Sequence, residues 1–182
     1  MSPPEAETAR LILRPFCLDD APEVRRLAGR REIADTTLAI PHPYPQGAAE
    51  AWIGKHEDQH ALGKGTNFAI TLRNGSLIGA IGLVIAAEHR RAELGYWIAV
   101  DHWGNGYATE AARAVVRYGF ETLGLEKIHS CFLARNPASG RVLAKVGMTI
   151  EGVRRRHVVK WDRPEDLVVT GLLREDFDAS QA

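Results

Sequence analysis

The 182-residue sequence predicts a single domain of mixed α/β class, with a mostly antiparallel sheet of six to seven strands and about four helices. Three observations predict this class. Short apolar runs separated by turn residues dominate the first half, which is typical of antiparallel strands. A long amphipathic helix then lies between two strand-like runs, which indicates a strand–helix–strand unit. No linker or repeat divides the chain, so we expect one domain at 8–178, with tails at 1–7 and 179–182.

The strands are predicted from short apolar or alternating runs bounded by turn residues. They lie at about 10–14, 66–73, 77–85, 93–100, 127–135, 148–160 and 166–175. Pro15 ends the first strand, because proline lacks the amide that a strand ladder needs. The Asn74–Gly75 pair favours a tight hairpin between the second and third strands, because both central residues of such a turn have positive φ.

Four helices are predicted between these strands, at about 19–29, 47–62, 108–123 and 136–147. The third is marked by apolar residues at three- and four-residue steps: Ala108, Ala111, Ala112, Val115, Val116, Phe120 and Leu123. Gly124 is a plausible stop for it. The fourth is announced by Asn136 at the cap position and Pro137 at the first helical position, and Gly147 ends it.

The turn between the central strand and the third helix has the features of an anion site. It reads Asp101-His102-Trp103-Gly104-Asn105-Gly106-Tyr107-Ala108. The first amides of a helix have no internal partners and lie at its positive end, so they can bind phosphate. Glycines remove the side chains that would hold a ligand away from those amides. A dinucleotide-binding turn is the main alternative, but Thr109 occupies the third glycine position of GxGxxG.

Several segments in order resemble the GNAT acyltransferases. Residues 103–111 are similar to the acetyl-CoA loop of that family, with Gly106 and Ala108 in its last two positions and Trp103 where arginine or glutamine is usual. Residues 136–148 resemble the second family block. The opening residues 8–14, the Pro-Tyr-Pro stretch and Glu151-Gly152 are similar to the RimJ/RimL-like subgroup, named for enzymes that acetylate N-termini of ribosomal proteins. The resemblance covers nearly the whole chain.

The resemblance implies a single-domain GNAT fold whose splayed central strands bind acetyl-CoA as co-substrate, with no metal. It also implies which residues contact the coenzyme: Ile98, Ala99, Val100, Trp103, Gly104, Asn105, Gly106, Tyr107, Ala108, Thr109, Asn136 and Ser139. Backbone amides from Ile98 to Val100 are expected to stabilise the oxyanion of the acetyl transfer. Asn136 and Ser139 have simpler interpretations as a helix cap and a solvated residue of the first turn, and both roles can coexist with coenzyme binding.

Two residues are the catalytic candidates. Ser139 matches the serine that is thought to protonate the leaving thiolate in RimL-like enzymes, and Leu143 stands near the position where many GNAT enzymes have a tyrosine. Glu93 is the first candidate for the base that deprotonates the acceptor ammonium. Its alternative role is a structural ion pair with Arg90 or Arg91. The glutamate of RimL-like enzymes falls at Val158 here, and His129 and His157 are the other possible bases.

The acceptor surface is expected within residues 31–60, with Tyr44, Trp52 and the strand residue Trp97 as contacts. Residues 31–45 are expected to be irregular, because the three prolines between 41 and 45 exclude regular helix. The favoured function is N-acetylation of a protein or peptide α-amine. The alternatives are acetylation of a small amine, such as an amino-acid analogue, an aminoglycoside or a polyamine, and binding of acetyl-CoA without turnover.

Charge and cysteine content limit the other partners. Basic and acidic residues balance at 23 each, so no nucleic-acid or membrane partner is expected. Two distant cysteines, Cys17 and Cys131, indicate reduced thiols in a cytoplasmic protein. A second copy of the chain, forming a homodimer, is the one macromolecular partner considered besides the acceptor. His56-Glu57-Asp58-Gln59-His60 matches the zinc motif HExxH. The segment is polar and no third ligand follows in a recognisable motif, so we interpret it as a solvated helix end.

Overall fold

A computed structural model describes residues 3–181, which form eight strands and seven α-helices. The strands are β1 (Ala6–Glu7), β2 (Leu11–Arg14), β3 (Gly65–Leu72), β4 (Leu77–Ala86), β5 (Arg91–Ile98), β6 (Lys127–Leu133), β7 (Thr149–Lys160) and β8 (Arg163–Leu173). The helices are α1 (Ala21–Ala28), α2 (Arg31–Thr36), α3 (Ala48–Ile53), α4 (His56–Ala61), α5 (Tyr107–Glu121), α6 (Pro137–Lys145) and α7 (Arg174–Ala179). The mixed α/β class is confirmed, with more elements than predicted.

The predicted irregular segment at 31–45 is wrong at its start, where α2 forms. Ile33 and Ala34 are buried in this helix, at 1% and 0% exposure. Their burial stabilises a turn of helix that the sequence pattern does not announce, because tertiary packing outweighs weak local propensity. The prolines begin only after the helix has ended, so they do not prevent it.

The predicted single helix at 47–62 is also wrong, because the structure has two short helices there. The break falls at Gly54 and Lys55, where the Lys55 amide bonds to the Trp52 carbonyl three residues back at 3.3 Å. Glycine is a poor helix former, and the tighter bond turns the chain. As a result, α3 and α4 form separate helices. At the N-terminus, β1 (Ala6–Glu7) lies within residues 1–7, which were predicted to be a tail.

All strands lie in one sheet with the order β1-β2-β3-β4-β5-β6-β8-β7. Its neighbours are antiparallel except for β5 and β6, which are parallel because α5 crosses over between them. These two strands pair through only three residue pairs, Arg91↔Lys127, Ala92↔Ile128 and Glu93↔His129. Beyond Glu93 they diverge, so the predicted splay of the central strands is confirmed.

Helices cover both faces of the sheet. On one face, α5 and α6 pack on Leu94 and Ile98 of β5 in a large apolar core. On the other face, α1 and α3 pack near Trp97 in a second core. Because successive strand residues point to opposite faces, β5 contributes to both cores and carries the region where the strands separate.

Two further features concern membrane-spanning helices and the two cysteines. No helix within residues 3–181 is long and apolar enough to cross a membrane. Cys17 and Cys131 are both free thiols, as the sequence predicts.

Candidate active site

A cleft of about 410 Å³ opens where β5 and β6 diverge. The end of β5, the start of α5 and one side of α6 form its walls. On β5, the Leu94 carbonyl accepts a bond from Ser130 Oγ at 2.8 Å, and the Ile98 carbonyl accepts one from Trp103 Nε1 at 2.6 Å. Since backbone groups alternate along a strand, the Tyr96 amide between them faces the same side, where β6 has moved away. The cleft therefore offers strand amides to a ligand.

The glycine turn enters this cleft at the start of α5. Gly104 and Gly106 have φ of +78° and +80°, a left-handed conformation that favours glycine. Gly106 is the residue that precedes the first turn of α5, so the free amides of the helix point into the cleft region. This local geometry is what the sequence predicts for an anion site.

Arg10 holds the glycine turn from outside the cleft. Its guanidinium forms an ion pair with Glu110 of α5 at 2.7 Å, donates to the Asn105 carbonyl at 3.0 Å and lies 4.6 Å from the centre of the Tyr107 ring. Thr8 Oγ1 also donates to Glu110 at 2.7 Å. The N-terminal segment therefore fixes the turn that carries the helix amides.

Nine of the twelve predicted coenzyme residues line the cleft: Ile98, Trp103, Gly104, Gly106, Tyr107, Ala108, Thr109, Asn136 and Ser139. Ala99, Val100 and Asn105 do not line it. The Ala99 amide donates to the Ile78 carbonyl at 2.8 Å, so it is engaged in the sheet. The Asn105 side chain turns back to the carbonyls of His102 and Trp103.

Two basic residues that the sequence analysis missed also line the cleft. Arg141 and Lys145 lie one turn apart on α6, on the side that faces α5. Together with the free amides of α5, they give this cleft a positive character that suits phosphate groups. Spacing on a helix could have indicated a shared face, but the sequence alone does not say which face meets α5.

Ser139 is hydrogen-bonded to a tyrosine that the sequence analysis did not select. The Tyr96 hydroxyl lies 2.8 Å from Ser139 Oγ, and it also lies 3.4 Å from the Ser139 carbonyl. Burial raises the pKa of Tyr96 to about 12, so the phenol stays protonated at neutral pH. Leu143 of α6 is fully buried, so α6 offers no tyrosine there, and the tyrosine hydroxyl beside Ser139 comes from β5. These two hydroxyls form a chain that can carry a proton to an atom in the cleft.

Asn136 has the capping role that its position suggests. Its Oδ1 accepts from the Ser139 amide at 3.3 Å, and its Nδ2 donates to the Thr36 carbonyl at 3.3 Å. The second bond ties α6 to the end of α2. Asn136 therefore fixes the helix start that positions Ser139, while it also lines the cleft.

A second cavity of about 530 Å³ adjoins the first on the other face of the sheet. Tyr44, Trp52 and Trp97, the three predicted acceptor contacts, all line it. Both cavities share Tyr96 and Ser139 in their walls. A thioester in the first cavity and an amine in the second would therefore meet at the hydroxyl pair.

Glu93 lines the second cavity and is exposed. The Cys131 thiol donates to its Oε1 at 3.5 Å, and burial raises the pKa of that thiol to about 11. The alternative ion pair of Glu93 with Arg90 or Arg91 is wrong: Arg90 pairs with Glu126 at 3.1 Å, and Arg91 contacts His129 at 3.2 Å.

The two histidines considered as alternative bases have other surroundings. His129 Nε2 contacts Arg91, and burial lowers the pKa of His129. His157 Nε2 lies 3.4 Å from Arg154 on the exposed strand β7. Neither histidine lines the two cavities. Of the three candidate bases, Glu93 alone lies in the wall of a cavity.

The HExxH segment forms α4 and has separate roles for its histidines. His56 is buried, with Trp52 and Phe16 at ring-centroid distances of 4.4 and 5.5 Å. His60 Nδ1 lies 3.2 Å from Thr66 Oγ1. Within residues 3–181, no group of three or more histidine, cysteine, aspartate or glutamate side chains is arranged to hold a metal ion. The predicted solvated helix end is wrong for His56, which packs in an aromatic cluster.

Comparisons with known proteins agree with this geometry. Residues 10–149 match the family model described as an acetyltransferase (GNAT) domain. An uncharacterized N-acetyltransferase, YoaA of Bacillus subtilis, is 34% identical over 94% of this chain and 97% of its own length. The putative ribosomal N-acetyltransferase YdaF of the same organism is 31% identical over 71% of this chain and 69% of its length.

A more distant relative has a small amine in its name, and several solved structures share the fold. The spermidine N(1)-acetyltransferase of Escherichia coli is 27% identical over 82% of this chain and 77% of its own length. Among solved structures, a probable acetyltransferase has a TM-score of 0.83 with 26% identity, covering 94% of this chain and 97% of that one. Mycobacterium smegmatis RimJ in complex with CoA-disulfide has a TM-score of 0.80 with 22% identity, covering 94% and 89%.

The RimJ/RimL-like resemblance is thus confirmed by YdaF, the relative named as a putative ribosomal N-acetyltransferase, and the M. smegmatis RimJ structure shares the fold. The family model covers most of the chain, and the first relative covers almost all of it. The chain belongs to the GNAT family and is an N-acetyltransferase.

Proposed function

We propose that this N-acetyltransferase moves the acetyl group of acetyl-CoA directly to the N-terminal α-amine of a protein or peptide. The observation that carries the proposal is the junction of two cavities at Tyr96 and Ser139. One cavity has the amides and cations that suit a phosphate-bearing coenzyme. The other is open to solvent and has a carboxylate in its wall, which suits an incoming ammonium.

The residues of the first cleft fit acetyl-CoA. The amides at the start of α5 bind the pyrophosphate, and Arg141 and Lys145 add positive charge beside it. The outward-facing amide of Tyr96 on β5 is free to bond the coenzyme arm. A side chain at Gly106 would be forced into a strained φ and would meet Arg10 at 3.5 Å, so this cradle needs glycine. The coenzyme supplies the thioester that is attacked.

Ser139 and Tyr96 act as the proton source for the departing sulfur. Ser139 Oγ donates its proton to the sulfur, and the protonated Tyr96 hydroxyl, 2.8 Å away, replaces it by donating to Ser139 Oγ. Tyr96 then takes up a proton from solvent through the open cavity. A hydroxyl that donates to the thiolate stabilises the charge that develops late in the transfer. Capping by Asn136 fixes Ser139 in the required orientation.

Glu93 acts as the base, either directly or through a water. The acceptor arrives as an ammonium, which a carboxylate attracts and can deprotonate before the nitrogen attacks. Glu93 has no ion pair with any basic side chain in the described part of the chain, so it remains available for the acceptor. Its contact with the Cys131 thiol orients the carboxylate.

A peptide acceptor is supported by two observations. The relative YdaF is named as a putative ribosomal N-acetyltransferase, which favours a protein acceptor, and the second cavity is not closed, so a chain can leave it toward solvent. The decisive experiment measures thiol release from acetyl-CoA with a panel of short peptides and a panel of small amines. Higher kcat/KM for peptides, with mass spectrometry placing the acetyl group on the α-amine, is the expected result. Turnover of small amines alone would reject the peptide acceptor.

A further inference from the structure

We propose that the second cavity selects an acceptor whose first side chain, next to the reacting amine, is apolar or aromatic and carries no second positive charge. This inference rests on the proposed function and specifies its substrate class. It is carried by the floor, the walls and the charge of the cavity.

The floor is the surface of the sheet at Gly95 of β5. Gly82 of β4 and Gly95 of β5 are direct partners across the two strands, and both line the cavity. A Cβ placed on Gly95 would meet nothing within 4 Å, so the space above it is open. The space above Gly82 is instead taken by Asn67 and the Thr66 carbonyl of β3, so the open part of the floor lies over Gly95. A glycine in the middle of a strand gives up side-chain packing, which is typical of a place where a ligand approaches the backbone. A flat side chain of the acceptor can lie on this floor.

The walls around this floor are apolar and aromatic. Trp97 lies two residues from Gly95 on the same strand and on the same face, about 7 Å along β5. Trp52 of α3 and Tyr44 of the loop before it also line the cavity, as do Leu38 and Ile40. Aromatic rings bind other rings and aliphatic groups through large contact areas. The cavity is therefore built for an apolar body.

The charge of the cavity matches a single ammonium. Among the described residues that line it, Glu93 is the only charged side chain. If Glu93 accepts the reacting amine, a second ammonium on the acceptor finds no carboxylate. An unpaired charge held inside the apolar part of the cavity, between Gly95 and the aromatic walls, loses its water and is disfavoured. A side chain that fills this part is therefore favoured when it is apolar, and lysine-like side chains and polyamines are selected against.

The first test compares acceptors that differ at one position. Peptides with Phe, Leu, Gly, Lys or Asp as the first residue and an identical remainder are assayed for kcat/KM, alongside 2-phenylethylamine and spermidine. We expect the Phe and Leu peptides to exceed the Lys peptide at least tenfold, and 2-phenylethylamine to exceed spermidine. A Lys peptide or spermidine that performs as well as the apolar acceptors overturns the inference while leaving the acetyltransferase intact.

The second test fills the floor. Gly95→Leu puts a side chain into the open space, and Gly95→Ala is a milder form. Gly152 of β7 is the matched control, because its Cβ would also meet nothing within 4 Å, its φ is not left-handed, and it does not line the cavity. Gly95→Leu should lower kcat/KM for the Phe peptide at least tenfold, with acetyl-CoA affinity and melting temperature unchanged. Gly152→Leu should leave all three unchanged.

Binding separates this inference from the proposed function. Calorimetry on the CoA-loaded protein measures peptide affinity without any turnover. If the Phe peptide binds at least tenfold more tightly than the Lys peptide but is not acetylated, the peptide acceptor fails and the apolar selectivity stands. If Gly95→Leu changes neither the binding nor the turnover of the Phe peptide, the floor is not an acceptor site and the inference fails.

Discussion

Tyr96 and Ser139 come from different elements and meet through their hydroxyls at the junction of the two cavities. Burial raises the pKa of Tyr96 to about 12, so its phenol is protonated at neutral pH. The backbone of Ser139 is held by Asn136, whose Oδ1 accepts from the Ser139 amide. Each hydroxyl depends on the other for its hydrogen bond. In the proposed proton relay the two side chains act together, so the effects of their substitutions should not be additive.

Ser139→Ala should lower kcat by about 10²-fold and leave the acetyl-CoA dissociation constant nearly unchanged, because a proton donor to the leaving group acts in the transition state. We expect the lower end of the usual range for general acids, since a thiolate already leaves readily. Tyr96→Phe should have a similar effect, and the double variant should be little worse than either. Unchanged turnover in folded Ser139→Ala would falsify the proton-donor role, and a loss confined to affinity would leave Ser139 as a coenzyme contact.

His56 makes the stability of the protein depend on pH. Burial lowers the pKa of His56 to about 4, whereas the unfolded chain has an ordinary value near 6.5. The neutral imidazole is thus favoured by folding. Its contribution is fully present above about pH 6.5 and is lost as the pH falls toward 4, because the unfolded state then binds a proton that the folded state does not.

Between pH 7.5 and pH 5, this group should remove about 2 kcal/mol from the free energy of unfolding. Urea unfolding at both pH values measures this loss in the wild type and in His56→Leu. The variant should lose about 2 kcal/mol less than the wild type between pH 7.5 and pH 5. His60→Leu, on the same helix, is the control and should retain the wild-type loss. If His56→Leu and the wild type lose the same free energy, the His56 imidazole is protonated at pH 5 in the folded protein as it is in the unfolded chain.

At the scale of elements, the glycine turn and α5 form a unit that is braced from the N-terminal segment. Arg10 links the turn and the helix by its contacts with Asn105, Tyr107 and Glu110. The turn is thereby held in the left-handed conformation that lets its backbone approach the coenzyme. Binding should therefore depend on both the glycines and this brace.

Gly106→Val should weaken acetyl-CoA binding at least tenfold, or about 1.4 kcal/mol, because valine opposes the left-handed φ of +80° that shapes the turn in front of the helix amides. Gly63→Val is the matched control. Gly63 also has a left-handed φ, +64°, and a Cβ there would meet nothing within 4 Å, but it lies at the end of α4 and outside the cleft. Calorimetry should show normal affinity in the control. Equal affinity in the two variants would show that the phosphates bind elsewhere.

The elements that local sequence patterns specify were the ones that could be predicted. The glycine turn, α5 and the Asn136–Pro137 start of α6 each follow from adjacent residues, and the structure has all of them. Helix α2 could not be predicted, because its stability comes from burial of Ile33. Tyr96 was missed for a related reason: its partner is 43 residues away, and only the tertiary structure brings the two together.

At the scale of the whole molecule, the sheet consists of two parts that are joined along β5 and β6. Strands β1 to β5 follow one another in order, and β6, β7 and β8 form the second part. Three residue pairs join the parts before the strands diverge. The two cavities lie along this divergence, and their walls include nine of the twelve predicted coenzyme residues and all three predicted acceptor residues. The site therefore depends on the local separation of two strands.

This divergence gives an interior strand an open edge, which amide hydrogen exchange can detect. The amides of Gly95 and Trp97 face β4 and take part in its ladder, whereas the Tyr96 amide faces the gap. We expect the Tyr96 amide to exchange at least about tenfold faster than its two neighbours in the free protein, although it lies in the middle of the sheet. Binding of CoA should slow it selectively, as residue-resolved NMR can measure. A Tyr96 amide as protected as that of Trp97 without ligand would mean that the gap closes in solution. If the exchange is fast, the centre of this sheet behaves as an unfinished edge until the coenzyme completes it.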